Sequence, residues 1–186
     1  MLLFVGLGNP TPNSENNRHN VGFKIIDSIN KKFSLSKQKP KFKGLLTTGN
    51  IENKKVYAIK PLTFMNNSGV CIRELLEYFK IDAENVIVFH DDLDIEFGKI
   101  KAKFGGSDAG HNGIASIDKF IGKDYSRVRI GIGKPKDKVE VADYVLQNFD
   151  EDESARIGEI TENIIDSITI LLEKKLDLFS STVNNK

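Results

Sequence analysis

The chain contains the stretch Val86-Ile87-Val88-Phe89-His90-Asp91-Asp92, in which four apolar residues are followed at once by three titratable ones. An unbroken apolar run of this length predicts a strand that is buried on both faces of a sheet. A second run, Leu2-Leu3-Phe4-Val5, ends at Gly6 and shows the same pattern. These two stretches predict central strands of one sheet, with polar groups just beyond the end of the strand that starts at Val86.

Outward from these strands, extended and helical spacings of apolar residues alternate along the chain. Ser68 is a candidate cap for one of the helices. The predicted elements are a helix from about 20, a hairpin within 41–60, a helix from 68, a strand through 99–103, a helix over 112–121, a strand through 128–132 and a long helix from about 152. This order predicts a single three-layer α/β domain over residues 1–180, with a mixed β-sheet covered by helices on both faces. Residues 181–186 are expected to form a flexible tail.

Composition excludes several classes of protein. The chain has 186 residues, of which 39% are hydrophobic and 28% charged, so most of it is expected to fold into a compact core. Its single cysteine excludes a disulfide framework and a multi-cysteine zinc site, and fits a reducing cytoplasm. No apolar run is long enough to span a bilayer, and the apolar start lacks the basic front of a signal peptide.

The formal net charge of +1 conceals an uneven distribution. Residues 99–136 hold nine bases and three acids, a local charge of +6, whereas residues 150–177 hold nine acids and three bases, a local charge of −6. A nearly neutral protein can therefore present a basic face to a polyanion. The alternative interpretation is that both segments are ordinary solvated surface.

Five polar clusters lie after predicted strands or before predicted helices, where α/β proteins bind their ligands. They are Gly8-Asn9-Pro10, Arg18-His19-Asn20, Phe64-Met65-Asn66-Asn67-Ser68-Gly69, His90-Asp91-Asp92-Leu93-Asp94 and Gly110-His111-Asn112-Gly113. Each contains a side-chain amide or a titratable group. Asparagine beside glycine is also a common turn pattern, so one cluster alone would have no functional meaning.

These clusters favour general-base catalysis by histidine. His19 lies in a polar loop, and Asp91 follows a buried strand, where it can accept a hydrogen bond from one imidazole nitrogen. Cys71 falls on the apolar stripe of a helix, which argues against a thiol nucleophile. A metal site on the cluster 90–94 and a purely structural role for His19 remain alternatives, while Gly6-Leu7-Gly8 lacks the third glycine of a dinucleotide loop.

The amides and lysines fit the same chemistry. Asn9, Asn66 and Asn112 lie in three separate loops and offer the donors and acceptors that a peptide group requires. Amide donors can also stabilise the oxyanion that forms when water attacks an ester. Lys101 and Lys103 alternate onto one face of a strand and, together with Arg129, suit a phosphate group.

Six motifs in order give a specific resemblance that covers about residues 2–149. They are Phe4-Val5-Gly6-Leu7-Gly8-Asn9-Pro10, Arg18-His19-Asn20-Val21-Gly22, Lys60-Pro61 through Thr63-Phe64-Met65-Asn66-Asn67-Ser68-Gly69, His90-Asp91-Asp92-Leu93-Asp94, Gly110-His111-Asn112-Gly113 and Arg127-Val128-Arg129-Ile130-Gly131-Ile132-Gly133. In these motifs and their spacings the chain resembles the bacterial-type peptidyl-tRNA hydrolase family.

The resemblance implies a metal-independent esterase that cleaves the bond between the peptide C-terminus and the 3′-terminal ribose of tRNA, in peptidyl-tRNA and N-blocked aminoacyl-tRNA. Such an enzyme recycles tRNA from stalled translation. The resemblance implies no cofactor and no metal, and a cytoplasmic monomer whose partner is the acceptor stem and 3′ end of peptidyl-tRNA, with no membrane contact. The alternative is a non-catalytic RNA-binding protein on the same fold.

Residue by residue, the resemblance implies that His19 is the general base, that Asp91 stabilises its working form and that Asn9 distinguishes N-blocked from free aminoacyl-tRNA. The implied substrate and tRNA contacts are Asn20, Phe64, Met65, Asn66, Asn112, Lys101, Lys103 and Arg129. The family usually has Gly and Tyr where this chain has Thr11 and Ser14, so Ser14 is a further candidate contact that lacks an aromatic ring. If the ring stacks on a base, its loss removes about 1–3 kcal/mol of binding free energy. Asp108, beside the basic strip, is expected to weaken phosphate binding modestly.

Overall fold

The computed structural model describes residues 1–186 and consists of seven strands and seven helices. The strands are β1 (Leu2–Gly6), β2 (Lys39–Lys41), β3 (Gly44–Ile51), β4 (Lys54–Pro61), β5 (Val86–Asp92), β6 (Ile100–Phe104) and β7 (Ser126–Gly131). The helices are α1 (Val21–Lys32), α2 (Ser68–Phe79), α3 (Asn112–Ile121), α4 (Val141–Val145), α5 (Glu151–Asp166), α6 (Ile168–Leu172) and α7 (Leu176–Asn184). None of these helices combines the length and the apolar character that crossing a membrane requires.

All seven strands form one sheet in the order β2-β3-β4-β1-β5-β7-β6. The central strands β4, β1, β5 and β7 run parallel, while β2, β3 and β6 are antiparallel to their neighbours. Because these four strands run in the same direction, their carboxyl ends lie at the same end of the sheet; Gly6, the last residue of β1, pairs with Phe89, and β5 continues to Asp92. The loops that follow β1, β4 and β5 therefore meet at this carboxyl end of the sheet, as polar loops do in open α/β sheets.

Two apolar layers cover the two faces of this sheet. On one face, α1 and α5–α7 pack against residues such as Phe4, Phe89 and Val128. On the other, α2 and α3 pack against residues such as Val5, Ile59 and Val88. The predicted α/β class, with a mixed sheet and helices on both faces, is therefore confirmed.

Several predicted elements agree with the structure, but the role of Ser68 does not. The helix predicted over 112–121 and the hairpin around residues 50–53 form as expected. Ser68 is the first residue of α2 and is buried, and its hydroxyl donates back to the carbonyl of Met65 at 2.9 Å. It therefore fixes the preceding turn, and the prediction that it caps α2 is wrong.

The predicted tail at residues 181–186 is also corrected. Residues 181–184 belong to α7, Val183 is buried, and the side chain of Asn184 bonds to both the N–H and the C=O of Ile100 at 2.9 Å. Ser180 accepts from the N–H of Ala102 at 2.8 Å. Thus α7 supplies the partners that a further strand would have given to the outer edge of β6, a long-range contact that a local polarity pattern does not reveal.

Candidate active site

The site lies at the end of the sheet where the parallel strands have their carboxyl ends. His19 lies in a short 3-10 turn, Arg18–Asn20, that leads directly into α1, and Asp91 is the penultimate residue of β5. Arg18 anchors this turn to the C-terminal part of the chain. Its guanidinium bonds to the Glu153 carboxylate at 3.0 Å and lies 4.4 Å from the centre of the Tyr144 ring. The turn is therefore held between the sheet and the segment that carries α4 and α5.

His19 and Asp91 form a close pair, as their sequence positions predicted. The Nδ1 atom of His19 lies 2.8 Å from one carboxylate oxygen of Asp91 and 3.0 Å from the other. Burial by itself lowers the pKa of His19, but the charge and hydrogen bond of Asp91 outweigh it and the pKa lies above its ordinary value. For Asp91, burial opposes ionisation, yet the two neighbouring imidazoles hold its pKa well below the usual range. Asp91 is therefore an anion that fixes the ring of His19.

His111 is a second partner of Asp91, and its part in the site was not predicted from the sequence. Its Nε2 lies 2.9 Å from the Asp91 carboxylate, while its Nδ1 accepts hydrogen bonds from the backbone N–H groups of Gly113 and Ile114 at the start of α3. Because Nδ1 is occupied as an acceptor, the proton of a neutral His111 must sit on Nε2 and point at Asp91. Only the pattern Gly-His-Asn-Gly before a helix hinted at such a capping histidine.

Asn20 holds Asn9 in place rather than lining the cleft. Its side-chain oxygen accepts from the N–H of Asn9, and its side-chain nitrogen donates to the C=O of Asn9, both at 2.9 Å. With 2% of its surface exposed and both polar side-chain atoms bonded to the backbone of Asn9, Asn20 presents almost no surface to a ligand. The predicted substrate contact for Asn20 is therefore corrected to a structural contact with Asn9.

The orientation of the Asn9 amide is set by Met65. The backbone N–H of Met65 donates to the side-chain oxygen of Asn9 at 2.9 Å. That bond follows an unusual backbone conformation at Phe64, whose φ is 63° and whose side chain is 54% exposed at the rim of the cleft. With its oxygen engaged, Asn9 has its amide N–H₂ group available as a donor.

His19 stands between two cavities of about 430 Å³ each. The cavity on the β1–β4 side, named here the amide pocket, contains most of the predicted substrate contacts. It is lined by Asn9, Thr11, Ser14, His19, Phe64, Met65, Asn66, Asn112, Ala142, Val145 and Leu146. Ser14 is bonded through its hydroxyl to Thr11 in this wall.

The other cavity, named here the β5 pocket, extends past the end of β5. It is lined by His19, His90, Asp91, Asp92, Leu93, Asp108, Ala109, Gly110, His111, Asn112, Val141, Ala142 and Val145. A larger groove of about 730 Å³ lies between α1 and α5, but it contains neither a histidine nor any predicted site residue. The two cavities that share His19 therefore hold the chemistry, although neither is the largest on the surface.

The predicted phosphate contacts lie beside the β5 pocket. Lys101 on β6 is directly opposite Arg129 on β7, so both side chains project from the sheet face covered by α2 and α3. Arg129 is 3.5 Å from the carboxylate of Asp92, and Lys103 lies against the loop at Gly106. By contrast, Arg127 is buried and paired with Asp118 at 2.9 Å, so it belongs to the scaffold.

The suggested metal cluster at residues 90–94 does not converge on one point. His90 is buried with its Nδ1 on the carbonyl oxygen of Asp91 at 2.8 Å, and burial lowers the pKa of His90 to about 3. Asp92 faces Arg129 and the N–H of Asp94. The set whose ligand atoms do lie together, within 4.8 Å, is His19, Asp91 and His111, and a metal there would have to displace the protons that both imidazoles donate to Asp91.

Comparison with known proteins identifies the family. The family model described as peptidyl-tRNA hydrolase matches residues 3–186. The chain is 81% identical to the peptidyl-tRNA hydrolase of Pelagibacter ubique (strain HTCC1062), over 100% of both chains. It belongs to the peptidyl-tRNA hydrolase family. The family's Bacillus subtilis (strain 168) member is 44% identical over 94% of this chain and 93% of its own.

A solved structure agrees with this assignment to the peptidyl-tRNA hydrolase family. The crystal structure of peptidyl-tRNA hydrolase from Acinetobacter baumannii superposes with a TM-score of 0.92 at 33% identity, covering 99% of this chain and 94% of that one. The resemblance drawn from the six motifs is thereby confirmed, and it extends through the C-terminal helices, which the motifs did not include.

Proposed function

We propose that this member of the peptidyl-tRNA hydrolase family hydrolyses the ester between a peptide C-terminus and the 3′-terminal ribose of tRNA with His19 as the general base. The observation that carries the proposal is the bond from Nδ1 of His19 to the ionised Asp91 at 2.8 Å. That bond fixes the imidazole proton on Nδ1, so the unprotonated Nε2 faces away from Asp91 and is available to a water molecule.

In the proposed reaction, Nε2 of His19 takes a proton from water as the water oxygen attacks the ester carbonyl. The resulting imidazolium is stabilised by the negative charge of Asp91, which stays ionised throughout the reaction. The tetrahedral intermediate then expels the ribose oxygen, which receives the proton from Nε2. The products are a tRNA with an intact 3′-terminal hydroxyl and a peptide carboxylic acid, which ionises by releasing the second proton of the water to solvent.

The amide pocket supports binding of the peptide side of the ester. Asn9, Asn66 and Asn112 present amide groups from three loops, and the N–H₂ group of Asn9 is free to donate because its oxygen is already bonded to Met65. A donor at this position favours the carbonyl of an N-blocked residue over the cationic amino group of a free aminoacyl-tRNA. Oxyanion stabilisation is assigned to the same set of amides.

The β5 pocket supports binding of the tRNA side. It adjoins Asp92 and Arg129, and the exposed Lys101 follows on the next strand, so these three neighbours place two candidate phosphate-binding cations on this side of His19. Lys101, Lys103 and Arg129 are accordingly proposed to contact the acceptor stem. We further propose that the enzyme is monomeric and cytoplasmic; the buried free Cys71 suits a reducing compartment.

The decisive experiment measures release of N-acetyl-aminoacyl groups from tRNA by wild-type protein and by His19→Ala. The variant is expected to lose at least about 10²-fold in rate, as for loss of a general base, while its melting temperature shows that it folds. Near-full activity of His19→Ala would rule out the proposed base.

A second arm separates the proposed mechanism from the metal-dependent one. The assay is repeated with EDTA, using spermidine in place of Mg²⁺ to keep the tRNA folded. Unchanged turnover is the expected result, and loss of activity that zinc or manganese restores would favour a metal at His19, Asp91 and His111. Binding of tRNA without any release would instead support the non-catalytic alternative.

A further inference from the structure

The segment from residue 31 to residue 43 carries charge of one sign only, and it runs from the far end of α1 to a hairpin beside the cleft. It contains six lysines and no acidic residue, and all six lysines are exposed. Only one of them has a carboxylate within ion-pair distance: Lys43 bonds to Glu74 at 2.5 Å. The six are Lys31, Lys32, Lys37, Lys39, Lys41 and Lys43.

Part of this segment is a hairpin whose tip lies at the catalytic end of the sheet. Strand β2 is the outermost strand, and a two-residue turn, Phe42–Lys43, connects it to β3. The carbonyl of Lys43 accepts from the N–H of Leu62 at 2.9 Å. Since Leu62 precedes the exposed Phe64 by two residues, the hairpin tip is continuous with the rim of the amide pocket.

Aromatic rings accompany the charges on this hairpin. The ammonium group of Lys41 lies 4.7 Å from the centre of the Tyr78 ring and 5.2 Å from that of Phe42. Tyr78 is 62% exposed, so its ring is available to a ligand as well as to the lysine. Lys39 and Lys41 project from the same face of the sheet, because their cross-strand partners are Leu46 and Gly44 two positions apart.

The position of the hairpin decides between peptide and RNA as its occupant. The cations assigned to tRNA are on β7 and β6, five and six strand spacings from β2 on the other side of the sheet, or about 24 and 29 Å away. The hairpin adjoins the pocket assigned to the peptide. We propose that the hairpin Lys39–Lys43 with Tyr78 binds the peptide portion of the substrate and favours acidic side chains several residues before the ester; this inference rests on the proposed function.

The distance between Asn9 and the hairpin determines which residues of the peptide can contact the hairpin. Strand β1, which leads to Asn9, is separated from β2 by three strand spacings, or about 14 Å. An extended peptide covers about 3.3 Å per residue, so the hairpin is reached about four to six residues upstream of the ester. A single N-acetyl-aminoacyl group is too short to reach it.

The test compares three substrates that share one tRNA and one C-terminal residue: an N-acetyl-aminoacyl-tRNA, an N-acetylated neutral hexapeptidyl-tRNA, and the same hexapeptide with Asp at its first three positions. Wild-type protein at low ionic strength is expected to have a KM about twofold to tenfold lower for the acidic than for the neutral hexapeptide. The double variant Lys39→Gln/Lys41→Gln is expected to lose this difference and to hydrolyse the short substrate as before.

A matched control is Lys31→Gln/Lys32→Gln, which removes the same charge at the far end of α1 and is expected to keep the preference for the acidic peptide. A KM raised equally on all three substrates by the hairpin variant would mean that the hairpin contacts tRNA, and the proposal would be wrong. Equal KM values for both hexapeptides in the wild type would also overturn the proposal. The lysines would then serve only to keep the outer strand from pairing with strands of other chains. Failure of the wild type to cleave even the short substrate would instead contradict the proposed function.

Discussion

Substituting Asp91→Asn tests the hydrogen-bond network around the proposed base more sharply than truncating the side chain to alanine. His111 must donate from Nε2, because two backbone N–H groups occupy its Nδ1, and it bonds to Oδ1 of Asp91 at 2.9 Å. The asparagine oxygen will therefore stay with His111, and its N–H₂ group will replace the oxygen that now lies 2.8 Å from Nδ1 of His19.

An N–H₂ group in that position reverses the protonation of His19. The retained oxygen is 3.0 Å from Nδ1, but the N–H₂ group is closer and its hydrogens would oppose a ring N–H at Nδ1. Nδ1 therefore becomes an acceptor and the ring proton moves to Nε2, where it blocks abstraction of a proton from water. The expected loss in kcat is that of a general base, about 10² to 10⁴-fold, or about 3 to 5 kcal/mol of activation free energy. The assay is release of N-acetyl-aminoacyl groups from tRNA, with thermal melting to verify folding.

A second variant separates this explanation from simple loss of charge. In Asp91→Asn/His111→Asn the competing imidazole is gone, while asparagine still suits the start of α3 as a cap. The amide at position 91 can then turn its oxygen towards His19, so the double variant is expected to be at least about tenfold more active than Asp91→Asn. The reasoning is refuted if Asp91→Asn keeps activity within about threefold of the wild type, or if the double variant is no better than the single one.

Three further outcomes are expected. Because the raised pKa of His19 keeps it protonated to a higher pH, kcat/KM on the short substrate should rise with pH and reach half its maximum above pH 6.5; a half-maximum at or below 6.5 contradicts this. Asn20→Ala removes both bonds that hold the backbone of Asn9 and should reduce kcat/KM about tenfold while lowering the free energy of unfolding by about 1–3 kcal/mol, measured by kinetics and denaturant titration. Lys103→Ala should lower the slope of log Kd for tRNA against log salt by about one, and an unchanged slope would show that Lys103 touches no phosphate.

The sequence was most informative where a property repeats along the chain. The apolar runs at β1 and β5 predicted central strands because burial on both faces demands such runs, and the predicted bounds of α3 agree with the structure. The final helix was predicted as continuous, but it breaks at Ser167 and again before α7. Those breaks depend on how the segment turns over the sheet, which periodicity alone does not encode.

Within the site, the sequence indicated which residue types were present but not which atoms faced one another. His19 and Asp91 were expected as a pair, and they lie in hydrogen-bond contact. The role of His111 depends on which nitrogen the start of α3 occupies, and that of Asn20 on two bonds to the backbone of Asn9. These hydrogen-bond partners are determined by the three-dimensional arrangement of the loops, and neither composition nor residue spacing indicates them.

The bond from Asn184 to Ile100, with that from Ser180 to Ala102, ties β6 to residues made about 80 positions later. At a synthesis rate of about 5–20 residues per second, roughly 4–16 s pass between synthesis of β6 and synthesis of the residues that bond to its N–H groups. During that interval the strand that carries Lys101 and Lys103 has an open edge, the situation in which strands pair with the wrong chain. The proposed tRNA-binding strand is thus among the last parts of the molecule to be completed, and a ribosome that pauses late in this message prolongs its most aggregation-prone state.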